Sequence, residues 1–400
     1  MKEVLLKEYS NLKKLNIVSK EGDYTFNLHF IEGAFLEIMG DKAGKFKVEF
    51  YNQLTGALLY TDTITNNMWC KASTKYYVKW LIRVTDTESN QVIFTHEFNA
   101  QGKRVYIHLD SKALGDTLAW FPQVEEFRKQ HDCEVICSTF HNDWFETTYP
   151  EIEFTNPGST VHNLYAMYGV GWYYNEDENI DFTRNPIDFR IQSLIKTASD
   201  ILGLEFNEVR PNLSFKDKGK TIEGKYVCIA PHGSSHAKYW NREGGWQEVI
   251  DYLNLQGYKV VMITSEPLGN SFHDKKLGGT LKGVIDKTGD IHLSDRANDL
   301  RHADAFIGIG SGLSWLSWSM NCPTILISGF SEPYSEFSDC ERITSPSPLT
   351  CTGCFNKERL DAGDWDWCPK YKNTNRMYEC TKTITSNIVV DSLGKLLQTS

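Results

Sequence analysis

What this 400-residue chain lacks is informative before any motif is found. It contains no apolar run approaching the roughly 18 to 20 residues that cross a bilayer, so no transmembrane segment is expected. Its opening residues, MKEVLLKEYSNLKKLNIVSKEGDY, lack the sustained apolar core of a signal peptide, which makes a cytoplasmic location the expectation. An excess of positive charge is also missing: 42 Lys and Arg stand against 52 Asp and Glu, a formal net charge of -10. That balance argues against a protein whose main work is wrapping nucleic acid. With 12 Pro and 29 Gly, 40% hydrophobic and 13% aromatic residues, collagen-like, coiled-coil and wholly disordered chains are excluded. At 45.8 kDa the chain exceeds what one hydrophobic core usually supports, and two or three domains are expected.

Cysteine is present but unevenly spread. Cys70, Cys133, Cys137, Cys228 and Cys322 are scattered, most of them in apolar stretches where a thiol acts as a small buried hydrophobe. The other five of the ten fall between Cys340 and Cys380. Without a secretion signal thiols should stay reduced, so a local cluster points to a metal site rather than a disulfide framework. Cys351-Thr352-Gly353-Cys354 is a knuckle, and Cys368 and Cys380 follow after 13 and 11 intervening residues. Four thiolates, two of them on a tight Gly-containing turn, make a tetrahedral site that suits zinc or a single iron. Such a closed site would be structural, pinning the segment Asp364-Trp365-Asp366-Trp367, with Cys340 left as an ordinary thiol.

From about residue 25 to 98 the pattern has period two, as in Lys45-Phe46-Lys47-Val48-Glu49-Phe50, with turn signals at short spacing. This reads as a small antiparallel sandwich or barrel, an accessory or assembly module over residues 1–103. At Arg104 the grammar changes. Val105 to Leu109 is an apolar strand, a loop 110–116 follows, then an amphipathic helix over 117–130 and a strand over 134–138. A second series begins with the strand 226–230, runs through a helix over 246–255 and strands at 259–264 and 283–286, and continues with a helix over 293–302. It ends with a strand at 305–308, a helix over 313–320 and a strand at 324–327. Strand, loop and helix alternating in this way predict two doubly wound parallel sheets with ligand at the carboxyl ends of the strands.

Three strand-end loops carry chemistry. In Asp110-Ser111-Lys112-Ala113-Leu114-Gly115-Asp116 a helix start favours an anion and Gly115 permits close approach. Asp110 and Asp116 compete for the role of general base; for Asp116 the plain alternative is a helix N-cap. Lys112 and Gly115 are counted with them as substrate-binding positions. The second loop, Pro231-His232-Gly233-Ser234-Ser235-His236-Ala237-Lys238, offers hydroxyls and one mobile cation, which a diphosphate requires, without the spacing of a Walker loop. In the third, Gly308-Ile309-Gly310-Ser311-Gly312-Leu313-Ser314-Trp315, a helix start can hold a second phosphate edge, and the dinucleotide fingerprint is absent.

In this order, "LGD", "PHGSS…KYWN…W" and "FIGIGSGLSWLSWSMNCPTILISG" resemble the bacterial heptosyltransferases of glycosyltransferase family 9. With the β-rich front end and cysteine-rich tail, the chain more closely resembles the autotransporter heptosyltransferases, iron-containing enzymes that put heptose on serines of autotransporter adhesins. The motifs carry the resemblance from Arg104 onward, and residues 1–103 match only in general layout. It implies an α/β fold of the GT-B type: two facing Rossmann-like domains, preceded by a small β-rich domain and carrying a four-cysteine finger. Residues 104–220 would be the acceptor domain and 221–400 the nucleotide-sugar domain, with the finger at 340–382.

The resemblance further implies that Asp116 or Asp110 deprotonates the acceptor serine and that Lys238, with Ser234 and Ser235, holds the diphosphate. Ser311 and Gly312 would form the phosphate turn, and Glu266 would hold the ribose. The lipopolysaccharide enzymes read DSGxxH where this chain has Gly310 and Trp315, a departure that favours the protein-modifying branch. The implied donor is ADP-heptose, the cofactor one iron per chain on Cys351, Cys354, Cys368 and Cys380 with zinc as the alternative, and the assembly a ring of many copies. An inverting single displacement follows, with no DxD-type carboxylate pair evident in the cleft loops and so no divalent metal expected on the diphosphate. Two other readings stay open at this point. One is a transferase of the same fold acting on lipopolysaccharide core or another glycan; the other is a non-catalytic sugar-nucleotide-binding assembly protein.

Overall fold

The computed structural model describes residues 13–14 and 17–399, so most of the opening stretch on which the leader reading rests lies outside the described residues. The chain divides into two units. The first takes in residues up to Lys112, Trp120–Phe189 and Ile195–Val209; the second takes in Ala113–Ala119, Arg190–Leu194 and Arg210 onward.

In the first unit the strands are β1 (Lys13–Lys14), β2 (Ile17–Glu21), β3 (Tyr24–Ile31), β4 (Phe35–Met39), β5 (Lys45–Asn52), β6 (Leu58–Thr65) and β7 (Met68–Lys71). They continue with β8 (Trp80–Asp86), β9 (Val92–Glu97), β10 (Arg104–Leu109), β11 (Glu134–Ser138), β12 (Ile152–Thr155) and β13 (His162–Val170). Strands β5, β6, β8 and β9 form an antiparallel sheet in the order β6-β5-β8-β9. The alternation in β5 does what period two requires, since Phe46, Val48 and Phe50 are fully buried while Lys45 and Lys47 face out. The larger sheet runs β12-β11-β10-β13-β3-β4-β7. Here β10 is buried along almost its whole length, as a central parallel strand must be, and it pairs in parallel with both β11 and β13.

The change of grammar at Arg104 does not coincide with a boundary in the sheet. Strand β13 pairs in parallel with β3 at Ala166 opposite Phe30 and Met167 opposite Ile31, so strands from the front segment extend the parallel sheet. Local periodicity reports which faces of a strand are buried; it is silent on which partner a strand takes.

The second unit holds β14 (Tyr226–Ala230), β15 (Lys259–Met262), β16 (Val284–Asp286), β17 (Ala305–Ile309), β18 (Thr324–Ile327) and β19 (Glu341–Ile343), all parallel, in the order β16-β15-β14-β17-β18-β19. Helices Gly245–Leu255, Leu293–Arg301 and Gly312–Ser319 alternate with the strands, as the sequence pattern predicts. Val227, Ile229, Ile307 and Ile309 join Trp240 and Trp246 in the core. The strand order reverses between β14 and β17 here, and between β10 and β13 in the first unit, so the loops after β10, β14 and β17 lie at switch points where ligands bind in such sheets. Among the described residues no helix is long and apolar enough to cross a membrane.

Candidate functional site

In the first unit Asp110 follows β10 directly, its N–H donating to the Val170 carbonyl at 2.9 Å. Its Oδ1 lies 2.7 Å from His108 Nδ1, and its Oδ2 accepts from the Tyr173 hydroxyl at 2.5 Å. Burial alone would raise the Asp110 carboxyl, but His108, Tyr173 and the nearby Arg184 outweigh it and hold the group below its ordinary range. Arg184 sits over the Tyr173 ring, 4.8 Å from its centroid. Two glycines make room for this arrangement. A Cβ on Gly169 would stand 2.6 Å from the Tyr173 hydroxyl, and one on Gly171 would stand 3.0 Å from it and 3.2 Å from Asp110 Cβ. Lys112 places its ammonium 5.0 Å from the Phe140 ring centroid.

The helix Leu114–His131, of which residues up to Ala119 belong to the second unit, begins three residues ahead of the sequence expectation. Asp116 therefore lies inside the first turn and is not the cap residue before it. A carboxylate there is favoured by the helix dipole. Gly115 and Gly312 are explained by close approach. A Cβ on Gly115 would meet Trp315 Cδ1 at 2.8 Å, and one on Gly312 would meet Leu114 Cβ at 2.7 Å. Trp315 is buried and packs edge-on against Trp318 and Phe337.

The loop after β14 brings Lys238 Nζ to within 3.2 Å of Ser234 Oγ and 5.4 Å of the Phe330 ring centroid. Burial pushes the Lys238 ammonium down from its ordinary value, opposed by the charges of Asp116 and Glu336. Asp116 and Lys238 are thus in electrostatic reach of each other. Ser235 Oγ is buried without a hydrogen-bond partner among the described residues, and so is Ser311 Oγ. Ser311 is the N-cap of helix Gly312–Ser319, yet its side chain makes no capping bond. Buried hydroxyls left unpaired are costly, so each of these two is open to a water or a ligand. Glu266 Oε2 lies 3.2 Å from His273 Nε2, and His273 Nδ1 lies 2.6 Å from the Tyr239 hydroxyl.

The structure adds Glu336 and Arg342, which no local signal marks in the sequence. Glu336 Oε1 accepts from Ser331 Oγ at 2.5 Å, and Oε2 pairs with Arg342 Nη1 at 2.9 Å. A Cβ on Gly310 would stand 2.9 Å from Glu336 Oε1, so the carboxylate comes close to this backbone. His108 and Tyr173 were equally invisible: His108 reads as an apolar-strand histidine, and Tyr173 lies 63 residues from Asp110.

Cys351, Cys354, Cys368 and Cys380 line one pocket, together with Ala237, Gly329, Phe330, Trp367, Tyr378 and Glu379. Burial pushes Cys354 up to about 11 and Cys380 up to about 12, and the neighbouring thiols add to both shifts. The donor set is four soft sulfurs in a largely apolar surround, which fits a thiophilic metal. Among the described residues, however, no group of three or more His, Cys, Asp or Glu side chains is arranged to hold a metal ion. Cys340 stands apart, its Sγ 3.6 Å from the Phe337 carbonyl oxygen.

A family model described as glycosyltransferase family 9 (heptosyltransferase) matches residues 189–358. The chain is 37% identical to the autotransporter heptosyltransferase BAHTCr of Citrobacter rodentium over 361 residues, 88% of this chain and 85% of that protein. It is 36% identical to the autotransporter heptosyltransferase TibC of Escherichia coli over 360 residues, covering 88% and 86% of the two. The crystal structure of TibC from enterotoxigenic E. coli, described as an iron-containing dodecameric glycosyltransferase, matches with a TM-score of 0.83 at 33% identity over 95% of this chain and 98% of that one. TibC has also been solved in complex with ADP-D-β-D-heptose. The resemblance carried by the three ordered loops is borne out, and the chain belongs to the autotransporter heptosyltransferases of glycosyltransferase family 9.

Proposed function

We propose that this protein transfers heptose from ADP-heptose to serine hydroxyls of an autotransporter passenger. The observation that carries this reading is the pair of buried, unpartnered hydroxyls of Ser235 and Ser311 in the unit that also holds Lys238 and Asp116. Lys238, Ser234 and Ser235 hold the diphosphate, the Ser311-Gly312 helix start receives its other edge, and Glu266 takes the ribose. Lys112, Gly115, Gly310 and Trp315 shape the substrate space around them. Asp116 is the base. Asp110 is given a structural part, since His108 and Tyr173 hold both its oxygens and stabilise its ionised form.

In the reaction the serine Oγ attacks the anomeric carbon as the bond from that carbon to the β-phosphate oxygen breaks. Asp116 accepts the hydroxyl proton, and ADP leaves with the extra negative charge. Lys238 and the helix-start amides neutralise that charge as it develops, which is where such groups contribute most. Attack opposite the leaving group inverts the anomeric centre.

The four cysteines would hold iron, with zinc as the alternative. Bound there it would supply a structural cross-link for residues 351–380. Residues 104–220 serve the acceptor and 221–400 the nucleotide-sugar, with 1–103 accessory, in a cytoplasmic homo-oligomer like the dodecamer described for TibC. Intact-mass analysis of a passenger co-expressed with this protein tests the activity: increments of heptosyl residues on serine are expected, and an unmodified passenger refutes it. Elemental analysis of protein purified without affinity metals distinguishes iron from zinc, and metal-free protein refutes the finger.

A further inference from the structure

The segment Asp364-Trp365-Asp366-Trp367 has no part in the transfer as proposed above, yet its contacts converge on the loop that carries Lys238. The Trp365 carbonyl accepts from the His236 N–H at 3.2 Å. Asp366 Oδ1 lies 2.7 Å from His236 Nδ1 and 3.4 Å from Lys276 Nζ, and it accepts from the Tyr378 hydroxyl at 3.4 Å. The His236 ring lies against Tyr378, with centroids 4.3 Å apart. One carboxylate thereby ties together the loop after β14, the helix Ser271–Lys276 and the cysteine-bearing segment. His236 opens a single 3-10 turn, His236–Lys238, whose last residue is Lys238. Within so tight a turn a shift at His236 moves Lys238 with it.

Stability does not account for this arrangement. The Asp366 side chain is 44% exposed, and ion pairs at that exposure contribute about 0–1 kcal/mol. Its effect should therefore be on placement. We propose that Asp366 is a positioning residue of the donor site: by holding His236 it sets the place of Lys238, so that the cysteine-bearing segment shapes donor affinity without touching the donor. This rests on the reading of Lys238 as the diphosphate ligand.

The test uses the full chain with ADP as the probe, in titration calorimetry and in steady-state transfer assays. Asp366→Ala is expected to weaken ADP binding about two- to fivefold, since a contact worth up to about 1 kcal/mol cannot hold Lys238 in place by more than that. The donor KM should rise with it, while kcat and the acceptor KM stay within about twofold and the melting temperature is nearly unchanged. Asp366→Asn, which keeps an oxygen for His236, should recover most of the affinity. His236→Gln, which breaks the same contact from the other side, should reproduce the donor loss even where Asp366→Ala folds poorly. Wild-type ADP affinity in His236→Gln, or an Asn variant no better than Ala, overturns the proposal. If Lys238→Met also leaves ADP binding unchanged, the donor-site reading falls as well; if Lys238→Met weakens binding and the Asp366 and His236 variants do not, only the positioning role falls.

Discussion

Two strand-end regions built on the same plan are used in opposite ways. After β10 the carboxylate of Asp110 has both oxygens engaged, and two glycines clear the space for the tyrosine that engages one of them. After β14 and β17 the hydroxyls of Ser235 and Ser311 are buried and unpaired, and Lys238 is held in a site that disfavours its charge. Hydrogen-bonding capacity already spent marks architecture, and capacity held in reserve marks where a ligand belongs.

The largest effect that tests this contrast is expected at Asp116. Asp116→Asn should lower kcat by roughly 10²- to 10⁴-fold, the usual contribution of a general base, with ADP affinity little changed. Asp110→Asn should cost distinctly less in kcat. A reversed order in the same transfer assay would break the comparison, and activity surviving in the double alanine variant would remove both residues from the chemistry. Next in size, Lys238→Met should raise the donor KM by about 10- to 100-fold, as expected for losing hydrogen bonds to a charged group worth roughly 1.5–3 kcal/mol.

Gly115→Ala comes third. Its new Cβ would start 2.8 Å from the buried Trp315 ring, and overpacking of this kind costs about 1–3 kcal/mol, visible as a lower denaturation midpoint. The smallest effect concerns pH. The Asp110 carboxyl is held below its unfolded value of about 3.9, so its contribution to stability is present above that value and is lost as pH falls through the folded one. Thermal melts between about pH 5 and about pH 2 should therefore show a steeper loss in the wild-type chain than in Asp110→Asn. Equal slopes would mean that the contacts of Asp110 do not favour its ionised form.

Much of the architecture was legible because it is written locally. Strands β10, β14, β17 and β18 and helix Leu293–Arg301 fall within a residue or two of their sequence expectations, since apolar runs and periodicity act over a few residues. The start of helix Leu114–His131 was less legible. Leu114 and Gly115 carry no capping signal, and what settles their geometry is the packing of Leu114 against Gly312 and of Gly115 against Trp315. The candidate site residues show the same split. Lys238, Ser235 and Ser311 announce themselves by residue type at a strand end, whereas Glu336 reaches Gly310 from 26 residues away and leaves no trace in either local sequence.

By itself the sequence determined the alternation of strands and helices, the three ordered loops that identify the family, and the grouping of four cysteines in the tail, because each is a short-range pattern of residue types. Tertiary structure alone decided that β3 joins the parallel sheet beside β13, that Asp110 meets Tyr173 while Asp116 shares a unit with Lys238, and that Asp366 holds His236. These depend on which distant segments pack together, and pairing, burial and electrostatic reach across such distances are properties of the folded chain rather than of any stretch of it.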